Sequence, residues 1–200
     1  MENQIRNKLF RKSIHLLGFL VPIISITLGV VVAVAFVISL SALYSISEYS
    51  RVRGRSVPII TTITNMAIRV DKENQTRFIV APLFLAAGIL STLLIFPAPI
   101  NYAAIAVVTL GDGSASIVGR MYGKNKIPFS NGKTVEGTAA GIICAFIGAL
   151  LFVSPTIAIT AALIGMIVEF LPLRINDNIS VPLLAALSMT LVQMLFVGTG

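Results

Sequence analysis

One carboxylate, Asp112, stands in an otherwise apolar stretch of the chain, between Gly111 and Gly113. A charged side chain at membrane depth is costly unless it is compensated, so such a residue marks a functional site by default. Glycines on both sides would let phosphates and a metal ion approach the backbone closely. We therefore predict that Asp112 holds Mg²⁺ that carries the phosphates of a ligand.

A loop rich in cations and glycine follows this aspartate. Its candidate phosphate-binding residues are Arg120, Gly123, Lys124, Lys126, Lys133 and Thr134. Gly132-Lys133-Thr134 opens the next predicted helix, where free backbone N–H groups and the positive helix end favour an anion. The segment lacks the upstream glycine and the strand of a P-loop. Cations, a helix N-terminus and a metal-binding carboxylate are the parts that phosphoryl or nucleotidyl transfer requires.

The composition indicates that these groups belong to an integral membrane protein. Hydrophobic residues make up 56% of the chain and charged residues 12%, and the mean hydropathy is +0.94. A soluble core of this size cannot bury so much apolar surface. No polar stretch is long enough for a soluble domain, so we predict a single integral membrane domain over residues 1–200. The apolar stretch 14–46 is too long for a signal peptide and is predicted to form the first membrane hairpin.

We predict an all-α, polytopic membrane bundle of about seven transmembrane helices, because about 20 apolar residues are needed for each crossing. The predicted spans are 13–29, 30–47, 78–96, 100–118, 134–153, 156–171 and 179–197. Pro97 and Pro99 separate the third span from the fourth, and Ser154-Pro155 separates the fifth from the sixth.

The basic residues predict the orientation of the bundle. Four Lys or Arg residues precede the first span, six lie between the second and third, four between the fourth and fifth, and one before the seventh. The other connections carry none, so the positive-inside rule places the N-terminus in the cytoplasm. The other polar residues predicted near this side are His15, Glu48, Asp112, Glu136, Glu169 and Asp177. We therefore predict an active site at the cytoplasmic leaflet of a cell membrane or an endoplasmic-reticulum-type membrane.

The net charge of +7 suits anionic headgroups or nucleotide phosphates. Nucleic acid is not predicted as a partner, because no basic helix with interleaved aromatic residues stands apart from the membrane spans. The sequence leaves the oligomeric state open.

Several of these features also have a structural interpretation. The spacings Gly119-x-x-x-Gly123 and Gly137-x-x-x-Gly141 are typical of close helix packing. We interpret the basic residues Arg51, Arg53 and Arg55 as contacts to lipid headgroups rather than to substrate. The apolar residues at 59, 63, 66 and 70 share one helical face and predict an interfacial helix on the inner surface. His15 fits a hydrogen bond within the bundle as well as it fits a functional role.

The motifs, in their order along the chain, resemble those of the polyprenol kinase family, which includes dolichol kinase, phytol kinase and a CTP-dependent diacylglycerol kinase. The matching segments are Arg11-Lys12-x-x-His15, Gly111-Asp112-Gly113-x-Ala115-x-x-x-Gly119-Arg120-x-x-Gly123-Lys124-x-Lys126-x-Pro128, Gly132-Lys133-Thr134-x-Glu136-Gly137, Glu169-x-Leu171-Pro172 and Asp177-Asn178-Ile179-Ser180-Val181-Pro182-Leu183. The family is distantly similar to the phosphatidate cytidylyltransferases. Asn176 departs from the family pattern, since relatives often carry a second acid at this position. Asp177 then has no neighbouring acid, which argues against a site of two carboxylates on this segment.

The resemblance implies that the γ-phosphate of CTP is transferred to the hydroxyl of a membrane-embedded isoprenoid alcohol of the dolichol, phytol or geranylgeraniol type. Asp112 would hold Mg²⁺, with Glu136 or Asp177 as a second metal ligand or as the general base. Arg120, Lys124 and Lys133 would neutralise phosphates, and His15 with Arg11 and Lys12 would close the site. The nucleotide-binding set is completed by Gly111, Gly113, Gly123, Lys126, Thr134 and Asn178.

Two alternatives remain at this point. A CTP:phospholipid cytidylyltransferase would use the same metal and triphosphate groups but would accept a phosphorylated lipid and make a CDP-activated lipid. A transporter or lipid-binding protein would need polar groups that continue towards the outer leaflet, and the predicted spans lack them.

Overall fold

The computed structural model describes residues 12, 15–54, 78–128, 130, 132–171 and 175–197, with side chains as far as residue 195. Over these residues the chain is helical and contains no β-strand. The helices are α1 (Leu20–Leu28, after a 3₁₀ turn at Leu17–Phe19), α2 (Val30–Val52), α3 (Ala81–Ile95), α4 (Ile100–Met121), α5 (Val135–Leu150), α6 (Pro155–Phe170) and α7 (Asp177–Val197). The prediction of an all-α fold is thereby confirmed, and each helix falls on one of the predicted spans.

The helices end at the predicted breaks, with one difference. Gly29 separates α1 from α2 with a φ of 94°, a conformation that glycine adopts without steric cost. The second helix continues to Val52 rather than ending at residue 47, because Ser47 and Glu48 are buried and Glu48 pairs with Arg51 one turn later. Arg11, Arg55 and the predicted interfacial helix at 59–70 lie outside the described residues.

The outer surface of the helices is that of a membrane protein. Within the described part of the chain, α2, α4 and α7 are long and apolar enough to cross a membrane, and the other helices are shorter. Large apolar side chains are exposed around the bundle, including Val31 at 77%, Leu94 at 71% and Leu195 at 70%. So much exposed apolar surface is not tolerated in water, although lipid covers it readily. The number of crossings and the cytoplasmic N-terminus remain predictions.

Helix α4 lies at the centre of the bundle and contacts α1, α3, α5, α6 and α7. The core around it is built largely from alanine, with fully buried residues at Ala103, Ala104, Ala145, Ala149, Ala158, Ala161, Ala162, Ala185 and Ala186. Small side chains let helix backbones approach closely, which is how helices associate in lipid. The fold thus places Asp112, in the middle of α4, inside this core.

Candidate active site

Helix α4 changes its geometry immediately before the predicted functional residue. Over Val107–Asp112 the helix widens into a π-helix, and the α-helix resumes at Gly113. Segments of π-helix are rare and are frequently found at functional sites. The hydropathy pattern gives no signal for this change, so it could not be predicted from the sequence.

Asp112 is 3% exposed and pairs with the segment that precedes α1. The Lys12 Nζ donates hydrogen bonds to both carboxylate oxygens, at 2.7 Å to Oδ1 and 2.6 Å to Oδ2. The His15 Nε2 lies 3.4 Å from Asp112 Oδ2 and 3.2 Å from the carbonyl oxygen of Val108. Both of these neighbours are acceptors, so a proton on Nε2 would allow His15 to donate to them. Lys12 therefore supplies the charge compensation that a buried carboxylate requires.

The glycines on either side of Asp112 face other helices. A Cβ on Gly111 would lie 2.9 Å from Met166 Sδ on α6, and one on Gly113 would overlap the side chain of Leu16. Both glycines therefore have a packing role in this structure. Their predicted contact with phosphates remains a prediction.

A cleft of about 210 Å³ lies between α4 and α5. Its lining residues are Ala115, Ser116, Gly119, Arg120, Gly132, Lys133, Thr134, Gly137, Thr138 and Glu169. It combines two cations with the N-terminal turn of α5, and small side chains keep it open. Ser116 connects the cleft to Asp112, since the Ser116 Oγ lies 3.3 Å from Asp112 Oδ1. The sequence pattern did not indicate Ser116 as a ligand.

Lys133 ties the cleft to two acids at the ends of α6 and α7. Its Nζ lies 2.6 Å from Glu169 Oε1 and 3.9 Å from Asp177 Oδ2, and it also donates to the Glu169 main-chain carbonyl. The Glu169 side chain is 4% exposed, whereas that of Asp177 is 45% exposed. The structure thus brings together Lys133 and Asp177, which the sequence selected, with Glu169, which it did not.

Glu169 could have been found by the reasoning that selected Asp112, because it is an acid at the end of an apolar span. Its Oε1 pairs with Lys133. Its Oε2 is buried and has no hydrogen-bond partner among the described residues. A buried polar atom without a partner is uncommon and calls for an explanation, such as a missing ligand.

Glu136 lies at the start of α5 and binds the preceding loop. Its Oε1 accepts hydrogen bonds from the Asn125 main-chain N–H at 3.1 Å and from Asn125 Nδ2 at 2.8 Å. These bonds accompany a short antiparallel bridge between Lys126 and Thr134. The structure therefore places Glu136 with the loop and does not bring it to Asp112 or Asp177. Its predicted roles as metal ligand or base are without support from this arrangement.

The other predicted residues of the loop surround the beginning of α5. Thr134 caps the helix, with its Oγ1 accepting from the Gly137 N–H at 3.2 Å. Gly123 lies against Thr134 and against the Gly119 carbonyl, where a side chain would not fit. Lys124 and Lys126 are exposed on the loop. The loop thus holds the main chain at the beginning of α5 in place, whereas Lys124 and Lys126 lie at the surface of the protein.

Close packing of α4 on α5 forms one wall of the cleft. A Cβ on Gly137 would lie 2.6 Å from the Ala115 carbonyl oxygen and 2.8 Å from Gly119 Cα. The contact confirms that Gly119 and Gly137 allow close packing of the two helices. Asn178, at the start of α7, packs its carbonyl on Gly88 of α3, and its main-chain N–H donates to Asn176 Oδ1 and Asp177 Oδ1.

The pair of Lys12 with Asp112 and the pair of Lys133 with Glu169 influence one another electrostatically. Asp112 interacts electrostatically with Lys133, and Glu169 interacts with both Asp112 and Asp177. Across the described residues, no three His, Cys, Asp or Glu side chains are grouped closely enough to hold a metal ion by themselves. Any metal at this end of the bundle would depend on one or two carboxylates together with ligand oxygens.

Comparison with known proteins adds the relatives of the chain. Phytol kinase 1, chloroplastic, from Arabidopsis thaliana is 28% identical over 210 residues, which cover 93% of this chain and 67% of that protein. Probable phytol kinase 2, chloroplastic, from Glycine max is 28% identical over 162 residues, or 70% of this chain and 56% of that protein. Uncharacterized protein RP860 of Rickettsia prowazekii is 26% identical over 193 residues, covering 90% of this chain and 92% of that protein.

The chain spans about half the length of several of the curated relatives that it matches. No protein-family model matches the chain. No solved structure is similar to it. The extended similarity to phytol kinases nevertheless agrees with the order of the motifs and supports the resemblance to the polyprenol kinase family.

Proposed function

We propose that this protein is a CTP-dependent lipid kinase that phosphorylates an isoprenoid alcohol at the cytoplasmic leaflet. The observation that carries the proposal is the cleft between α4 and α5, where Arg120, Lys133 and the start of α5 form a surface suited to phosphate. The phytol kinases among its relatives support an alcohol of the phytol type as acceptor.

In this proposal the cations of the cleft bind and orient the phosphates of the nucleotide. Phosphoryl transfer depends mainly on positioning and on neutralising charge, so two cations and a helix N-terminus supply most of what the protein must contribute. Ser116 would hold the cleft side of Asp112 in place through its hydrogen bond. Lys12 and His15 would keep the Asp112 carboxylate oriented from the side of the first helix.

Magnesium fits this set of residues as an ion that arrives with the nucleotide. Mg²⁺ is commonly bound by one or two carboxylates together with substrate phosphates, so it needs no cluster of three acids. Asp112 and the half-exposed Asp177 are the carboxylates that we expect to hold it. When bound, the ion would neutralise charge on the transferring phosphates.

The surroundings of the site suit a lipid acceptor. Lys133, Glu169 and Asp177 lie at the ends of helices whose outer faces carry large apolar side chains. An alcohol with its isoprenoid chain among these faces could present its hydroxyl to the cleft, while the nucleotide enters from water. The basic connections of the sequence support a cytoplasmic position for this end.

The proposal is tested by incubating the purified protein with Mg²⁺, labelled CTP or ATP, and separately with phytol, geranylgeraniol, farnesol, dolichol and diacylglycerol. We expect a phosphorylated isoprenoid alcohol and CDP. Formation of a CDP-lipid with release of pyrophosphate, after addition of a phosphorylated lipid, would assign the protein as a cytidylyltransferase instead. Faster transfer from ATP than from CTP would contradict the nucleotide preference alone.

A further inference from the structure

Glu169 has one carboxylate oxygen that the protein itself does not satisfy. Its side chain is 4% exposed at the end of α6, and Oε1 is held by Lys133 at 2.6 Å. Oε2 has no hydrogen-bond partner in the described part of the chain. A buried, unpaired carboxylate oxygen is unfavourable, so its most economical explanation is a ligand that donates a hydrogen bond.

The residues that line the cleft with Glu169 restrict what this ligand can be. Glu169 lines the same cleft as Arg120 and Lys133, whose positive charges attract phosphate. A phosphate oxygen is an acceptor and would be repelled by a carboxylate. The group that satisfies Oε2 must therefore be a donor that sits beside a phosphate, and a hydroxyl about to attack that phosphate has this property.

We propose that Glu169 Oε2 binds the hydroxyl of the acceptor alcohol and takes its proton during transfer, an inference that rests on the proposed function. The bond between the hydroxyl oxygen and the γ-phosphorus forms while the bond from that phosphorus to its bridging oxygen breaks. The electron pair leaves on the nucleoside diphosphate, and the hydroxyl proton passes to Oε2. Lys133 then has two functions, because it fixes Oε1 and faces the phosphates.

In this proposal Glu169 is the general base, a role that the sequence predicted for Glu136 or Asp177. The Glu136 carboxylate is already bonded to Asn125. Asp177 is half exposed, and its Oδ1 accepts the Asn178 N–H. Among these three acids, only Glu169 combines near-complete burial with an oxygen that no group satisfies.

The test compares phytol with its methyl ether, which has the same chain but cannot donate a hydrogen bond. Each compound is used to displace radiolabelled phytol from the protein in lipid nanodiscs. The wild-type protein should bind the ether at least about tenfold more weakly, because a hydrogen bond to a charged group is lost. Glu169→Gln, which presents a donor at this position, should bind the alcohol and the ether within about threefold of each other.

Two further variants make the result specific to the carboxylate. Glu169→Asp keeps a negative charge beside Lys133, but its shorter side chain moves the carboxylate away from the bound hydroxyl. This variant should therefore also bind the alcohol and the ether with similar affinity. Thr160→Ala changes a residue of the same helix whose hydroxyl donates to the Thr156 carbonyl, and this variant should discriminate as the wild type does. Equal binding of alcohol and ether by the wild type, or discrimination that survives in Glu169→Gln, would overturn the inference.

The binding experiment is independent of transfer. If the wild type discriminates as expected but transfers no phosphate from CTP or ATP, the kinase proposal fails and the hydroxyl site stands. If transfer occurs without discrimination, the kinase proposal stands and the role of Glu169 fails. In a transferring protein, Glu169→Gln should lower kcat by about a hundredfold and change the nucleotide KM by less than about threefold.

Discussion

Two ion pairs between residues far apart in sequence hold the candidate site together, one of Lys12 with Asp112 and one of Lys133 with Glu169. Both acids are almost fully buried. Removing one partner from such a pair leaves an uncompensated charge, which destabilises a protein more than the intact pair stabilises it. Substitutions here therefore affect folding and chemistry together, and informative variants must separate these effects.

Asp112→Asn should lower both stability and turnover. It leaves the Lys12 ammonium, whose side chain is 13% exposed, without its counter-charge, at an expected cost of about 3 kcal/mol. The double variant Lys12→Met with Asp112→Asn removes both charges and should recover most of the lost thermal stability. Phosphoryl transfer should stay more than about tenfold below wild type in both variants, a barrier change of about 1.4 kcal/mol.

Thermal unfolding in detergent and a transfer assay on the same preparations measure the two effects. A double variant that is stable and transfers phosphate at the wild-type rate would show that Asp112 serves only to compensate Lys12.

Lys133→Met should weaken use of the nucleotide. Loss of a charge-assisted contact worth about 1.5–3 kcal/mol should lower kcat/KM for CTP by about ten- to a hundredfold. Arg53→Ala is the comparison, because Arg53 is exposed and lies 4.4 Å above the ring of Tyr49. It should change kcat/KM by less than about threefold, since exposed charges are screened by salt. If Arg53→Ala is the more damaging variant, phosphate binds beneath the connection from α2 to α3 instead.

At the scale of helices, hydropathy and proline positions were sufficient to predict where each helix lies. Runs of apolar residues identify helices independently of their neighbours, which is why every predicted span contains a helix. Properties set by contacts between helices could not be predicted. The π-helix before Asp112, the burial of Glu169 and the diversion of Glu136 to Asn125 all depend on how the helices pack.

Gly137→Ala should disturb the wall of the cleft between α4 and α5. The new methyl group would meet the main chain at Ala115 and Gly119, which cannot move without separating the helices. We expect a loss of about 1–3 kcal/mol in stability, typical of overpacking, with reduced transfer. Gly148→Ala, on the same helix, meets mainly the end of the Leu110 side chain at 2.6 Å. Rotation of that side chain and the better helix propensity of alanine, about 1 kcal/mol, should leave it close to wild type.

Urea or thermal unfolding of both variants in the same detergent measures the difference. Equal destabilisation by the two substitutions would mean that the contact between α4 and α5 is no tighter than the rest of the bundle.

At the scale of the whole molecule, charge is concentrated at one end of an apolar bundle. The pair of Lys12 with Asp112 joins the segment before α1 to α4, and the pairs of Lys133 with Glu169 and Asp177 join the beginnings of α5 and α7 to the end of α6. Helices that alternate in direction produce this arrangement, because every second helix end then lies on the same side. The turn from α3 to α4, at residues 96–99, lies at the opposite ends of these helices and carries no charged residue.

The orientation of the bundle is tested with single cysteines in a Cys144→Ala background, which removes the native thiol. Ala98, in the turn between α3 and α4, and Tyr122, after α4, are both exposed, whereas Asn101 is buried and would react poorly on either side. The basic connections predict that Tyr122 faces the cytoplasm. An impermeant thiol reagent added to intact cells should therefore label Ala98→Cys, and should label Tyr122→Cys only after the membrane is permeabilised. Labelling of both in permeabilised cells controls for access. Reaction of Tyr122→Cys alone in intact cells would place the cleft on the outer side, where cytoplasmic CTP could not reach it.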